Sequence, residues 1–382
     1  MTSTVTGSAA RPRERARVIA LVWAPHEGRT QMFAQRLNAP LYNVHFLLYK
    51  RPYIAPFKYV LQAIKTWSIL LRERPRVVYV TNPPVFAPLC VWLYSLFSGT
   101  KLIIDTHPPS LYSRRWGWTL PLQRFLIQRA YVNVTDQRRF ADLFASWGAR
   151  AVVLPNPPKN PPVEEPSPLT PLPQGEGNER RTTNSRAFSP TSSLIPPFAL
   201  REKGTGDEGA LAPAFNIAVI NTFAVDEPLD IILDAAAKLP EAHFSIMGER
   251  KLAPQGVIER APANVTFTDY LRGAAYWNCL RDANAVMVLT TYPYSLLGGA
   301  QDAVAVDTPL VLSDQPALRE YFTAGTIFIP NTADGIVEGV RAAQRDESRL
   351  RAEITQLGST QEAAWQTQFD DLLARIEAAQ SR

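Results

Sequence analysis

Short apolar runs alternate with longer segments of mixed polarity along most of this chain. Val77–Val80 and Leu102–Ile104 are two such runs, and one helix-length segment, Pro88–Phe97, lies between them. Runs that are apolar throughout are typical of parallel strands buried on both faces, and the segment between them completes a βαβ unit. Because the alternation covers residues 17–155 and resumes over residues 216–358, we predict two Rossmann-like α/β domains, each built on a mostly parallel sheet.

Three segments fall outside this alternation. Residues 1–16 are polar and are predicted to form a disordered tail. Residues 156–215 combine many Pro, Gly, Ser and charged residues with no apolar period, which predicts a disordered linker enlarged by an insertion. Gly204–Gly209 within it matches GxGxxG, but no strand precedes the match, so we interpret it as a coincidence. Residues 359–382 are predicted to form a closing helix.

Positive charge is concentrated in the first part of the chain. Residues 1–154 carry 21 Lys and Arg against 6 Asp and Glu, whereas residues 155–382 carry 19 against 29. A basic half suits an anionic partner, such as the phosphates of a nucleotide or a lipid, or an anionic membrane face. The alternative is a solvated basic surface without a ligand. No nucleic-acid-binding motif accompanies the charge, so nucleic acid is not an expected partner.

The cysteines and the apolar runs indicate where the protein works. Cys90 and Cys279 stand far apart in apolar runs, which is typical of buried thiols in a reducing compartment, so we expect a cytoplasmic protein. The apolar run Val85–Phe97 is shorter than the ~20 residues of a membrane span. Together with Arg114–Trp118 and Lys50–Tyr53, it predicts peripheral contact with the inner face of the cell membrane. The alternative for Val85–Phe97 is a buried core helix.

Polar side chains follow the predicted strands of the first domain, where open parallel sheets bind their ligands. Asp105 and His107 could deprotonate an acceptor hydroxyl or stabilise charge at a reacting centre. Alternatively, Asp105 caps the next turn and His107 packs locally. Asn82 ends the neighbouring strand. Gly28 and Arg29 lie in the first strand-to-helix turn, where they could hold a phosphate or carboxylate or form an ordinary turn.

The second domain has its own candidates for binding a nucleotide. Gly298 and Gly299 open a predicted helix that carries Asp302, which would offer backbone amides to a phosphate and a carboxylate to sugar hydroxyls. The alternative for Asp302 is stabilisation by the helix dipole. Arg250, after another strand, could meet a diphosphate or be solvated. The chain contains no DxD pair, Walker loop, zinc-ligand spacing or G-x-S-x-G elbow, so we expect neither a metal nor a cofactor.

Four segments resemble those of nucleotide-sugar-dependent glycosyltransferases of the two-domain GT-B architecture, family 4 type. The resemblance is closest to the chitobiosyldiphosphodolichol β-mannosyltransferase group. Thr81–His107 is similar to that group's Asn-Pro-Pro and Asp-x-His segments, and Gly28–Leu37 is similar to its glycine-arginine segment. Asp302–Asp314 is similar to the family segment that begins with a nucleotide-binding acid, and Ala363–Ile376 resembles the closing helix.

The resemblance implies both a fold and a reaction. The fold would be two Rossmann-like domains facing across a cleft, with the C-terminal helix crossing back to the first domain. The reaction would move a hexose, mannose or glucose, from a nucleotide diphosphate sugar to a hydroxyl of a lipid-linked or cell-envelope glycan. Asp302 would bind the ribose hydroxyls, and the first domain would hold the acceptor with Asp105 or His107 at the reacting centre.

On the donor side the chain departs from the family pattern. Tyr294 stands where a second acid is common, and Asp307 replaces a glycine. The segment Asn221–Glu227 is acidic where a basic residue is common. Two alternatives therefore stay open. One is a glycosyltransferase-like subunit that binds or assembles without catalysis, and the other is a sugar-nucleotide epimerase or a related two-domain enzyme.

Overall fold

The computed structural model describes residues 17–46, 55–159, 161 and 215–381. These residues comprise two α/β regions and the C-terminal helix. The predicted tail, nearly all of the predicted linker and its GxGxxG match lie outside the described residues. The same holds for Lys50–Tyr53, one of the segments predicted to contact a membrane.

The first compact unit comprises Met1–Pro158 and Thr360–Arg382. Its strands are β1 (Val18–Val22), β2 (Leu41–Asn43), β3 (Val77–Asn82), β4 (Lys101–Thr106), β5 (Val132–Thr135) and β6 (Ala151–Val153). Its helices are α1 (Gly28–Arg36), α2 (Ala55–Glu73), α3 (Phe86–Ser98), α4 (Pro109–Tyr112), α5 (Leu120–Arg129) and α6 (Arg138–Ser146). The strands form one parallel sheet in the order β2-β1-β3-β4-β5-β6.

The central strands of this sheet are apolar because helices cover both of its faces. Every residue of β3 is buried. Val78 packs with the cluster that includes α2 and α3, whereas Tyr79 packs on the other face with α1 and the C-terminal end of the chain. At the carboxyl end the register pairs Thr81 of β3 with Asp105 of β4. The polar ends of neighbouring strands are thereby brought side by side.

The second compact unit, Lys159–Ser359, repeats this architecture. Its strands are β7 (Phe215–Ile220), β8 (Ala242–Met247), β9 (Val265–Phe267), β10 (Ala285–Val288), β11 (Leu310–Ser313) and β12 (Thr326–Ile329). The remaining helices are α7 (Leu229–Ala237), α8 (Gly273–Arg281), α9 (Gly298–Val304), α10 (Pro316–Tyr321) and α11 (Ala333–Ser381). The strands form a parallel sheet in the order β12-β11-β10-β7-β8-β9.

The C-terminal region differs from the prediction. The sequence predicts two helices, Ala333–Arg345 and Thr360–Ala379, but α11 is one helix of 49 residues. The intervening residues 346–359 are mostly good helix formers, and the single Gly358 among them does not end the helix. From Thr360 onward the helix belongs to the first unit and packs into its core. Local helix propensity therefore joins the two predicted helices into one.

The predicted fold class, two Rossmann-like α/β domains with a C-terminal helix that returns to the first, is confirmed. None of the helices in the described part of the chain has both the length and the hydropathy needed to cross a bilayer. For helix α3 the sequence allows either membrane contact or core burial. In the structure, one part of the helix is buried in the core and another part is exposed. Val91 and Tyr94 are buried in the core, while Leu96 and Phe97 are exposed.

Candidate active site

A buried ion pair at the carboxyl ends of β1 and β4 organises the polar residues of the first unit. The Nε of Arg29 donates to Oδ2 of Asp105 at 2.9 Å, and Nη2 donates to Oδ1 at 3.0 Å. Nη2 also donates to the carbonyl of Leu154 at 2.6 Å. Arg29 is 8% exposed and Asp105 is completely buried. The guanidinium that the sequence offers to a phosphate or carboxylate ligand is therefore engaged within the protein.

Each member of this pair keeps the other one charged. Burial by itself raises the pKa of Asp105, but the Arg29 guanidinium and the neighbouring His107 together outweigh burial and hold that pKa well below its usual range. Burial likewise opposes the charge on Arg29, whose pKa the Asp105 carboxylate raises above its ordinary value. Asp105 is therefore ionised at neutral pH and a poor proton acceptor, so its geometry suits a positioning role.

His107 is the group beside Asp105 that can exchange a proton. Its Nε2 lies 3.6 Å from Oδ2 of Asp105, and a quarter of its side chain is exposed. Burial lowers the pKa of His107, but attraction to the Asp105 carboxylate outweighs burial and raises that pKa above its ordinary value. The backbone N–H of His107 donates to the carbonyl of Asn82 at 2.8 Å. An imidazole placed between a fixed carboxylate and solvent can accept or release a proton near neutral pH.

Asn82 has a positioning role in this structure. Its side chain is buried, and its Nδ2 donates to Oε1 of Gln123 at 3.1 Å. Gln123 in turn donates to the carbonyl of Ser110 at 2.7 Å. Because Asn82 also accepts from His107, it ties the end of β3 to α4, α5 and the residue that follows β4. The two peptide bonds after it, Asn82–Pro83 and Pro83–Pro84, are cis.

An acidic residue, Glu27, binds the free backbone amides of the first strand-to-helix turn. Glu27 caps α1 and accepts from the backbone N–H of Arg29 at 3.2 Å and of Thr30 at 2.5 Å. This carboxylate occupies the amides that an anionic ligand would use. An added Cβ on Gly28 would meet nothing within 4 Å, so the turn does not require a glycine for space. The geometry favours the ordinary turn, the alternative that the sequence left open for Gly28 and Arg29.

Asp136, which was not among the residues predicted from the sequence, lies at the carboxyl edge of the first sheet. Asp136 directly follows β5, which pairs with β4. Burial raises the pKa of Asp136 to about 6, although the charges of Arg29 and His107 act in the opposite direction. A carboxyl group that titrates close to neutral pH can serve as a general acid or base. The sequence contained a weaker signal than for Asp105, because Asp136 follows the strand-like segment Val132–Thr135, in which apolar and polar residues alternate.

In the second unit, Asp302 lies on α9 and both of its oxygens are engaged. It is 5% exposed. The hydroxyl of Tyr276 donates to Oδ2 at 2.8 Å, and Nζ of Lys159 lies 2.5 Å from Oδ1. Burial, with the neighbouring carboxylate, raises the pKa of Tyr276, so the phenol stays a donor. A ribose hydroxyl bound by Asp302 would have to replace one of these partners, and nothing in the sequence spacing indicates either of them.

The two glycines that open α9 differ in their surroundings. A Cβ on Gly299 would come within 2.5 Å of Cδ1 and 3.1 Å of Cγ2 of Ile220, which lies on β7. A Cβ on Gly298 would meet nothing within 4 Å. Gly299 therefore allows α9 to pack closely on the sheet, whereas Gly298 borders open space where a ligand could approach.

Arg250 and the loop after β7 lie at the carboxyl edge of the second sheet. Arg250 begins a short 3-10 turn after β8, its side chain is exposed, and its backbone N–H donates to Asp269 at 3.1 Å. In the loop after β7, Glu227 accepts from the backbone N–H of Thr222 at 2.6 Å and of Ala224 at 3.1 Å. This loop is thus closed by a carboxylate that repels a diphosphate, where the resemblance leads one to expect a basic side chain.

The cysteines and the possible metal ligands complete the description of the polar and reactive side chains. Cys90 and Cys279 are buried free thiols. Burial raises the pKa of Cys90 to about 11 and that of Cys279 to about 12, so neither is a nucleophile at neutral pH. Among the described residues, no three His, Cys, Asp or Glu side chains are grouped so that they could hold a metal ion.

Comparison with solved structures places the fold among glycosyltransferases. HepE from Anabaena, solved with UDP and glucose, aligns with 94% of this chain and 91% of its own, at a TM-score of 0.61 and 13% identity. Sucrose-phosphate synthase from Thermosynechococcus elongatus aligns with 95% of this chain and 100% of its own, at 0.66 and 12%. The kitacinnamycin glycotransferase aligns with 95% of this chain and 100% of its own, at a TM-score of 0.54 and 15% identity. No protein-family model and no curated protein sequence matches the chain.

These similarities establish the GT-B fold, and at such low identity they establish the fold alone. The GT-B part of the sequence resemblance is therefore confirmed. The resemblance to the β-mannosyltransferase group, and the roles of the individual site residues, stay predictions.

Proposed function

We propose that this chain is a metal-independent glycosyltransferase that moves a hexose from a nucleotide diphosphate sugar to an acceptor hydroxyl. The observation that carries the proposal is the GT-B fold, which the chain shares with glycosyltransferases that include HepE, a protein solved with UDP-glucose. The polar edge of the first sheet supports the same conclusion, because the pKa values of His107 and Asp136 there are both raised above their ordinary values.

In this proposal the first unit activates the acceptor. The acceptor oxygen attacks the anomeric carbon, the bond from that carbon to the phosphate oxygen breaks, and the hydroxyl proton passes to His107. Asp105 orients the imidazole and stabilises its protonated form, while Arg29 keeps Asp105 ionised. Asp136 is a second candidate for the proton acceptor, since burial brings its pKa to about 6.

The second unit holds the donor in this proposal. Gly298 borders open space at the start of α9, and Asp302 on the same helix would bind the ribose hydroxyls after exchanging a present partner. The exposed Arg250 would balance the charge of the departing nucleotide diphosphate. We propose mannose or glucose as the sugar and a lipid-linked or cell-envelope glycan as the acceptor. The chain would work on the cytoplasmic side of the membrane, where its basic first half suits an anionic surface.

The decisive experiment is a panel of nucleotide sugars, with nucleotide release measured with and without a lipid-phosphate sugar acceptor and in the presence of EDTA. We expect acceptor-dependent release that EDTA leaves unchanged. His107→Ala should keep donor binding and lose turnover, because it removes the base and leaves the second unit intact. Absence of both binding and turnover with every donor would refute the enzyme, and loss of turnover in EDTA would refute metal independence.

One observation favours a second candidate, a glycosyltransferase-like subunit that does not catalyse transfer. Glu227 closes the loop after β7, and the neighbouring Asp226 accepts from the hydroxyl of Thr290 at 2.6 Å, so this edge is acidic. A protein of this kind would bind a donor or a partner without releasing nucleotide. The same panel also identifies an epimerase, which would change the sugar of the donor without transferring it.

A further inference from the structure

Helix α2 leaves one apolar face uncovered. Phe57, Val60, Ile64 and Leu71 are each more than half exposed. Their spacing of three, four and seven residues places them on a single side of the helix. We call these four residues the apolar stripe. The core of the first unit takes up the opposite side of α2, so the helix is apolar on two sides and only one of them is packed.

The exposed apolar surface extends beyond α2. The ring of Phe97, at the end of α3, stacks on Trp67 of α2 with centroids 5.7 Å apart, and Phe97 is itself exposed. The ring of Phe86 lies 5.1 Å from that of Tyr59 on α2 and 6.3 Å from that of Trp118, which is 71% exposed. Phe97 and Trp118 thus add exposed apolar surface next to α2, to which ring contacts through Trp67, Tyr59 and Phe86 connect them.

Positive charge lies directly beside the apolar stripe. Lys58, Lys65 and Arg72 are spaced by seven residues and each follows a member of the stripe, so they form a row along its edge. Residues 28–135 contain 14 Lys and Arg but two acids, one of which is the buried Asp105. The other acid, Glu73, pairs with Arg72 at 2.8 Å, so Lys58 and Lys65 supply the remaining positive charge of the row. The surface is therefore both apolar and basic.

We infer that this surface docks the protein on an anionic lipid bilayer. Apolar side chains flanked by a basic row match the boundary between acyl chains and anionic headgroups, which attracts Lys and Arg by about 1 kcal/mol each. An exposed Trp is suited to the same depth, since one end of its ring is apolar and the other polar. The inference extends the proposed lipid-linked acceptor. Its test measures vesicle binding alone, so that failure of docking and failure of transfer are distinguished.

The test is sedimentation of the full chain with vesicles of phosphatidylcholine, alone or mixed with phosphatidylglycerol. We expect binding to the mixed vesicles at low salt and weaker binding at high salt. Replacing Phe57 and Ile64 together by Ser should reduce the partition coefficient at least about tenfold, because two apolar side chains leave the bilayer. Val225→Ser, an almost fully exposed apolar residue of the second unit, is the matched control and should bind as the parent does.

A second pair of variants tests the charge. Lys65→Glu should weaken binding at least about fivefold, whereas Arg345→Glu, the same charge change on the exposed surface of the second unit, should have little effect. Every substituted position is exposed, so the variants should melt at the temperature of the parent.

Three outcomes would overturn the inference. The first is a parent chain that stays in the supernatant with anionic vesicles at low salt. The second is binding by the variants in the surface that is as tight as that of their controls. The third is concentration-dependent self-association that Ile64→Glu abolishes, without vesicle binding, which would identify the surface as a contact between copies of the chain.

Discussion

Replacing Arg29 by Met tests the buried ion pair on which the candidate site is built. Met keeps much of the apolar stem of Arg29 and removes the guanidinium, so Asp105 stays completely buried and loses three hydrogen bonds. A buried carboxylate left without its partner costs about 3–5 kcal/mol. The carbonyl of Leu154 also loses a donor, which adds about 1 kcal/mol.

The substitution should also reverse the pH dependence that Asp105 contributes. In the parent, the pKa of Asp105 lies below its unfolded value, so its contribution is present above pH about 4 and is lost as the pH falls. Without Arg29, only His107 still lowers that pKa, and we expect burial, the largest single influence, to outweigh it and raise the pKa above the unfolded value. The variant should then lose stability as the pH rises above about 4, the opposite slope.

Hydrogen exchange measured by mass spectrometry can assign the loss to the first unit. Peptides from β1, α1 and β4 should lose protection in Arg29→Met, whereas peptides from the second unit should not. Replacing both partners, Arg29→Met with Asp105→Leu, should recover most of the protection, because no buried charge is left alone. The reasoning would be refuted by a loss below about 1 kcal/mol in the single variant, or by a double variant no more stable than the single one.

Three further predictions concern the remaining site residues. The raised pKa of Asp136 in the folded state makes the parent lose stability as the pH rises from about 4 to about 6. In thermal melts, the stability of Asp136→Asn relative to the parent should therefore be up to ~3 kcal/mol greater at pH 7 than at pH 4. An equal difference in stability at both pH values would contradict this. Gly299→Ala should cost about 1–3 kcal/mol in urea unfolding through overpacking against β7, whereas Gly298→Ala should be neutral or slightly stabilising; equal effects would refute the assigned difference. Tyr276→Phe should cost about 1.5–3 kcal/mol by removing a donor from the buried Asp302, and an unchanged melting temperature would show that this bond contributes nothing.

Much of the fold could be read from the sequence because parallel strands and their helices have distinct local patterns. The runs Val77–Val80 and Leu102–Ile104 predict β3 and β4 within two residues at each end, since strands buried on both faces tolerate few polar residues. The acid after β4 could be found for the same reason, because strand ends are where polar residues reappear. Asp136 after β5 obeys the same rule, so its position, though not its raised pKa, was also within reach of the sequence.

Pairings between distant residues were decided by the tertiary structure alone. Arg29 and Asp105 are 76 residues apart, and only the sheet order that leaves a single strand, β3, between β1 and β4 brings them into contact. The partners of Asp302 arise in the same way, from α8 and from Lys159 in the predicted linker region. Helix α2 is the last example: its sequence is apolar on two sides, and only the packing of α3 and the sheet determines which side is left exposed. Local periodicity specifies a helix or a strand. Which of its faces is covered depends on neighbouring elements that the local sequence does not determine.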